Sequence, residues 1–255
     1  MATKRTKPTA PRGRIFVGIG GWTYEPWRGL FYPEGLTHKR ELEHASRKLT
    51  SIEINGTFYS TFKPESWRKW RDETPEGFVF AVKGSRYVTN RKELATATES
   101  VARYAGQGLS ELGARLGPIN WQLAETKKFD AEDIEAFFRL LPREVDGFPL
   151  RHALEVRHAS FVDPRFTDLA RRHGVAITYA HSDKFPCIEE PTAGFTYARL
   201  MGCREEEPTG YDAAELDRWA DWARGCAERG DVFVYFISGA KQRAPAAAMA
   251  LIERL

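Results

Sequence analysis

Short apolar and β-branched runs recur along the chain, at residues 14–19, 51–54, 78–82, 118–123, 153–156, 175–179, 195–200 and 232–237. They start roughly 20 to 40 residues apart, too far for hairpin turns and right for strands joined by crossovers. Most of the stretches between them carry apolar residues at helical spacing. Residues 39–49 set Leu42, Ala45 and Leu49 on one face, and 64–71 open on Pro64, which suits a first helical turn. Residues 99–112 carry Val101, Tyr104 and Ala105 in register, weakened by Gly106 and Gly108. Asp130 is placed to cap a helix through Ile134, Phe137, Phe138 and Leu141, and Asp163-Pro164 opens another that runs to Arg172. Asp212 and Glu215 form a capping-box pair before 216–229, with Gly230 as the stop, and 246–255 close the chain. Residues 183–194 contain Pro186 and Pro191 and leave no room for a regular helix.

Eight such units predict an α/β fold, a single (β/α)8 TIM-type barrel with a degenerate helix between strands six and seven. The alternative is an open, doubly wound sheet. Its dinucleotide-binding signal would be Gly18-Ile19-Gly20-Gly21 after the first strand. That run lacks the third glycine at its usual offset, and Trp22 stands where a helix should begin. A length of 255 residues suits one barrel, and no linker interrupts the pattern, so 14–255 are read as one domain.

Composition narrows the class. Hydrophobic residues make up 42% of the chain, enough for a full core, yet the longest apolar run, 232–237, is only strand-sized, so no membrane segment is expected. Cys187, Cys203 and Cys226 are scattered and odd in number, which fits a reducing, cytoplasmic setting and argues against structural zinc. The net charge of +3 is modest, but Lys4, Arg5, Lys7, Arg12 and Arg14 crowd around Pro8 and Pro11. Residues 1–13 therefore read as a disordered solubilising tail, or alternatively as a nucleic-acid-binding arm.

In a barrel, the strand C-termini and the loops after them build the active site, and side-chain alternation selects what looks inward. That parity aims Glu53 and Asn55, Lys83, Asn120 and Gln122, Glu155 and Arg157, and Tyr197 and Arg199 at the axis. Such groups form either a catalytic site or a structural ion-pair lattice, with Glu53 paired to Lys83 and Glu155 to Arg157. In the site reading, Arg199 is a rim charge with no buried partner. The first loop adds Trp22, Tyr24 and Trp27, which either stack on a bound ring or cover the mouth. The pairs Trp67 with Trp70 and Trp219 with Trp222 read as core packing, because three-residue spacing keeps them on one helix face.

The runs Glu53-Ile54-Asn55-Gly56-Thr57-Phe58-Tyr59, Gly20-Gly21-Trp22, Phe80-Ala81-Val82-Lys83 with Ser85-Arg86-Tyr87, and Glu155-Val156-Arg157-His158 resemble the signature of the YecE-like family, domain of unknown function 72. The resemblance runs from about Ile15 to the end. It implies a TIM-type barrel and a site, but no reaction. Two departures fall near the expected site. Phe236-Ile237-Ser238-Gly239 stands where members often carry asparagines, and Ala124 follows Gln122-Leu123 where a proline is usual.

Three function classes compete. In the first, an enzyme takes a small anionic, ring-bearing substrate: a phosphoester, nucleotide or phosphosugar. Lys83, Arg86, Arg157 and Arg199 hold the anion, with Trp22, Tyr24, Trp27, Asn55, Tyr59 and Gln122 completing the binding set. Glu53 or Glu155 serves as acid or base, alongside Lys83 and His158, the latter catalytic or merely supporting a loop. A glycosidase pair would need a set carboxylate separation, and Glu53 and Glu155 lie three strands apart. The second class is a divalent-metal hydrolase or isomerase using Glu53, Glu155, His158, His181 and Asp183, although none of these has metal-motif spacing. The third is a non-catalytic protein binding a nucleic-acid fragment. No cofactor is expected in the first reading, and nothing in the sequence sets the oligomeric state.

Overall fold

The computed structural model describes residues 13–255; the expected tail, but for Gly13, lies outside the described residues. The barrel strands are β1 (Ile15–Gly20), β2 (Ser51–Ile54), β3 (Val79–Lys83), β4 (Leu116–Gln122), β5 (His152–Glu155), β6 in two pieces (Ala176–Ile177 and Tyr179–His181), β7 (Phe195–Leu200) and β8 (Asp231–Phe236). All pair in parallel, in the order β5-β4-β3-β2-β1-β8-β7, and β6 joins the two ends. Its first piece pairs with β5 and its second with β7, so the ladder closes and the open-sheet alternative falls. The break is at Thr178. Its amide still bonds Leu154 O at 3.0 Å, while its hydroxyl bonds the Asn120 side chain across the interior, also at 3.0 Å.

The helices are α1 (Glu41–Ser46), α2 (Pro64–Glu73), a short α3 (Arg86–Thr89), α4 (Thr98–Ala105), α5 (Ala131–Leu140), α6 (Pro164–His173), α7 (Ala213–Ala227) and α8 (Ala244–Ile252). Each expected N-terminal signal is in place. Asp130 accepts from the amides of Glu132 and Asp133, and Asp163 from that of Arg165, while Asp212 and Glu215 complete a capping box. The helix expected over 99–112 stops at Ala105, because Gly108 is left-handed (φ +101°) and the chain continues as 3-10 turns, Leu109–Arg115. A side chain at Gly108 would also press on Pro64 and Trp67 of α2. No helix lies between β6 and β7, as expected, and a two-residue hairpin, Glu144–Val145 with Phe148–Pro149, precedes β5.

Alternation divides the core in two. Val17, Ile52, Ile54, Phe80, Val82, Ile119, Trp121, Leu154, Val156, Leu200, Val232 and Val234 face the helices and form the larger cluster. Phe16, Val79, Ala81, Ala153, Ala176, Phe195, Tyr197, Phe233 and Tyr235 fill the barrel itself. Among the described residues, no helix is long and apolar enough to cross a membrane.

Candidate active site at the barrel mouth

The barrel interior changes character along its axis. At the N-terminal end, Phe16 stacks on Phe233 (4.9 Å), and the Arg151 guanidinium lies 4.8 Å from the Phe233 ring centre. Above them come two tyrosines, Tyr235 and Tyr197. Tyr235 shares a 2.7 Å hydrogen bond with the Ser51 hydroxyl. Tyr197 donates to Glu53 Oε2 at 2.5 Å. Burial, then the Glu53 charge, push the Tyr197 pKa well above its ordinary value, so the phenol keeps its proton and remains a donor.

The next layer is ionic. Arg199 Nη2 donates to Glu53 Oε1 (3.1 Å) and Nη1 to Glu155 Oε2 (2.5 Å), with Gln122 Oε1 a second acceptor for Nη1 at 3.1 Å. Asn120 Nδ2 contacts both carboxylates at 3.4 Å, and Thr178 donates to its carbonyl, which fixes the amide's orientation. Arg157 Nε and Nη2 bond Glu155 Oε1 at 2.9 and 2.8 Å, and its guanidinium stacks on Phe185. Both glutamates are fully buried and Arg199 is 2% exposed. Burial alone would raise the Glu155 pKa, but Arg199, then Arg157 and Lys83, outweigh it and hold it below the ordinary value.

Above this floor opens a cavity of about 720 Å³. Trp22, Tyr59, Phe62, Trp70, Phe236 and Ile237 wall it. Its charged lining residues are Lys83, Arg157, Arg199 and Lys241, with no carboxylate among them. Trp22 meets Trp70 edge to face at 5.3 Å. Gly20 leaves room for Asn55, because a Cβ there would lie 2.6 Å from Asn55 Nδ2. Lys83 is held at its backbone, where Thr57 Oγ1 (2.6 Å) and the Tyr104 hydroxyl (2.9 Å) both donate to its carbonyl. Burial first, then Arg199, lower the Lys83 pKa to about 8, against partial support from Glu53 and Glu155. Arg199 Nε is buried and finds no acceptor among the described residues.

Of the expected site residues, Glu53, Lys83, Gln122, Glu155, Arg157 and Arg199 gather at the C-terminal opening, with Asn55, Tyr59 and Trp22 in the cavity wall. The geometry revises several expected roles. Arg199 is not an unpaired rim charge, because it reaches two buried carboxylates. Glu53 pairs with Arg199 and not with Lys83; the Glu155–Arg157 pair does form. Both carboxylates lie under the floor with every oxygen engaged, and neither lines the cavity. His158 sits off the cavity, its Nδ1 accepting from Ser160 N at the start of a turn. Tyr24 also stays out of the lining and packs on Trp27, which does line the cavity while donating to Lys241 O at 3.0 Å. Arg86 is exposed at the edge, over the Tyr59 ring at 5.6 Å. His181 faces α7 outside the barrel, against Trp219. Among the described residues, no three His, Cys, Asp or Glu side chains converge as metal ligands.

The sequence reading missed Trp70, Phe62 and Lys241, and placed Ser238 near the site only through the family resemblance. Trp70 reads as core packing from its three-residue spacing with Trp67, and instead lines the cavity. Ser238 is one of two non-glycine residues with positive φ among those described (+68°), a conformation that tends to mark functional sites.

The family model described as "Protein of unknown function DUF72" matches residues 16–255. The UPF0759 protein YecE of Escherichia coli (strain K12) is 28% identical over 149 residues, 58% of this chain and 50% of its own length. YunF of Bacillus subtilis (strain 168) is 23% identical over 185 residues, 71% of this chain and 62% of its own. The chain thus spans about half the length of the YecE protein it matches. A DUF72 family protein of Thermotoga maritima superposes with a TM-score of 0.74 at 24% identity, covering 94% of this chain and 97% of its own. One from Enterococcus faecalis gives 0.72 at 15% identity, covering 94% of each. These two likenesses speak to the fold.

Proposed function

Because this chain belongs to the DUF72 family, for which the fold comes without a reaction, we propose from the geometry of the mouth that it is an enzyme site for a small anionic, ring-bearing substrate. The observation that carries this reading is the lining of the cavity. Four basic side chains, Lys83 at the end of β3, Arg157 just after β5, Arg199 on β7 and Lys241 in the loop after β8, share a space walled by Trp22, Trp70 and Tyr59; Glu53 and Glu155 offset the two arginines from beneath, and no carboxylate reaches the lining to offset the two lysines. Arginine suits phosphate and carboxylate, and indole and phenol rings suit a flat apolar body. Glu53 and Glu155 hold the arginines in place, and Lys83 is the group left to react.

A divalent-metal reading has less support, because Arg199 already occupies the space between the two carboxylates. A nucleic-acid fragment remains within the proposed class as a source of phosphate and ring.

Thermal melts test the proposal with phenyl phosphate, inorganic phosphate and phenol at matched ionic strength. A ligand that binds only the folded form raises the melting temperature with concentration. Phenyl phosphate should raise it most, Lys241→Ala should weaken the response to both phosphates, and Trp70→Ala should remove only the excess of phenyl phosphate over phosphate. Equal responses in all three proteins would place the anion elsewhere and end this reading.

A further inference from the structure

We infer that Lys83 is a nucleophile that forms an imine with an anionic aldehyde or ketone bound in the barrel mouth. This deepens the proposed function and rests on it, since it assigns the substrate a carbonyl carbon beside its anionic group.

The first observation is what Lys83 does not do. Two carboxylates lie in the same barrel end, yet its Nζ has no hydrogen bond or ion pair among the described residues. Glu53 is taken by Arg199, Tyr197 and Asn120, and Glu155 by Arg199, Arg157 and Asn120. The ammonium's close contact is instead the face of Phe58, at 4.6 Å. A lysine this enclosed normally finds a partner.

The second observation is how firmly it is placed. It ends β3, with its carbonyl bonded twice, by Thr57 and Tyr104, and the next amide, Gly84 N, donating to Asn120 O at 2.8 Å. Its side chain enters the cavity beside Arg157 and Arg199. An amine that is desolvated and set among cations is the arrangement that makes lysine a nucleophile. With the pKa lowered to about 8, the neutral amine at neutral pH is more abundant by roughly a few hundredfold than for an ordinary lysine. The charged and titratable groups around it are Arg199, Glu53, Glu155 and Arg157.

The third observation is the anchor. Arg157 and Lys241 would hold a phosphate or carboxylate, while Trp22 and Trp70 flank the body of the molecule. The neutral Nζ attacks the carbonyl carbon. A C–N bond forms, and the carbonyl π electrons move to oxygen, which takes a proton from the nitrogen. The nitrogen lone pair then closes the C=N bond as the C–O bond breaks. The oxygen leaves with the second amine proton, so amine and carbonyl give imine and one water, with no oxidant or reductant.

Pyridoxal 5′-phosphate, an anionic aromatic aldehyde, is the probe. The full chain is incubated with it at a substoichiometric dose near pH 8, reduced with borohydride and mapped by peptide mass. The expected result is a single dominant adduct on Lys83, diminished at least fivefold by excess inorganic phosphate and absent in Lys83→Met and Lys83→Arg. The wild-type map needs no variant to fold. An adduct spread over surface lysines, with Lys83 unlabelled or labelled no faster than the rest, overturns the inference; so does a Lys83 adduct indifferent to phosphate. If the melts with phenyl phosphate respond while Lys83 stays unlabelled, the binding reading stands and the imine alone falls. If neither responds, both fall.

Discussion

Arg199 on β7 donates to Glu155 on β5, 2.5 Å from Nη1 to Oε2, across the strand that lies between them. The same guanidinium reaches Glu53 on β2. One residue thus ties three strands together at the level where the apolar barrel interior gives way to the mouth. Burial would lower the arginine's pKa, but the Glu155 and Glu53 charges outweigh it, so the group stays cationic at any working pH. The site and the lattice are therefore the same residues, with Arg199 forming the floor that the cavity stands on.

Arg199→Ala should accordingly be costly. Removing one partner of a buried ionic network leaves the remaining charges uncompensated, at about 3–5 kcal/mol. Guanidinium unfolding of the two proteins measures it. A loss below about 1 kcal/mol would mean that the carboxylates relax into solvent, and that the floor is softer than its geometry indicates.

His152 gives a pH prediction free of the site. Its Nε2 donates to Pro142 O at 2.7 Å and its Nδ1 accepts from Trp121 Nε1 at 3.1 Å, a pattern that only the neutral ring can make. Burial lowers its pKa to about 4. As pH falls from 6.5 towards 4, the unfolded chain binds a proton that the folded one refuses, so stability falls through that window and levels off below it. The loss is on the order of 3 kcal/mol. His152→Gln should flatten this limb, and an unchanged slope in the variant would reassign it.

Much of this was legible beforehand, and the exceptions have physical causes. Residues 51–54 and 195–200 were bounded correctly, and most other strand ends slid by only one or two positions. Period-two alternation told correctly which residues of β2, β3, β4, β5 and β7 look inward. It could not tell which inward residues meet, because a long arginine spans the barrel while the nearer Lys83 turns to Phe58. Loop residues such as Lys241 and Ser238 have no parity to read. Trp67 and Trp70 share a face only loosely. A three-residue step falls about 60° short of a full turn, enough to bury Trp67 while Trp70 reaches the cavity.

The loop after β8 places Ser238 (φ +68°) and Gly239 (φ +60°) in succession in the left-handed region. Asparagine tolerates that region better than most residues, so a branch with asparagines here is understandable. Ser238→Asn should leave stability within about 0.5 kcal/mol, and Ser238→Val should lose about 1–2 kcal/mol. Gly239→Ala should be worse, since its Cβ would lie 2.6 Å from Cys203 O. Thermal melts rank the three, and a Val variant as stable as wild type would show that the loop adopts another conformation.

Lys83 links stability to reactivity. Its folded pKa is about 8, against 10.5 for the ordinary group, so the fold disfavours its charged form. Below pH 8 both folded and unfolded chains carry the proton, and the cost of burying it is fully present. Between about pH 8 and 10.5 the folded chain releases the proton while the unfolded chain keeps it, so the Lys83 contribution to stability rises with pH. Its span is on the order of 3 kcal/mol. Lys83→Met keeps an apolar stem beside Phe58 and removes the charge, so it should be the more stable protein at pH 7. That advantage should shrink as pH climbs from 8 to 10.5. Tyrosines and other lysines titrate in the same range, so the quantity to follow is the wild-type minus Lys83→Met difference in guanidinium unfolding free energy at each pH. A difference that stays flat would mean that Lys83 keeps an ordinary pKa, and would remove the chemical support for a reactive amine at the mouth.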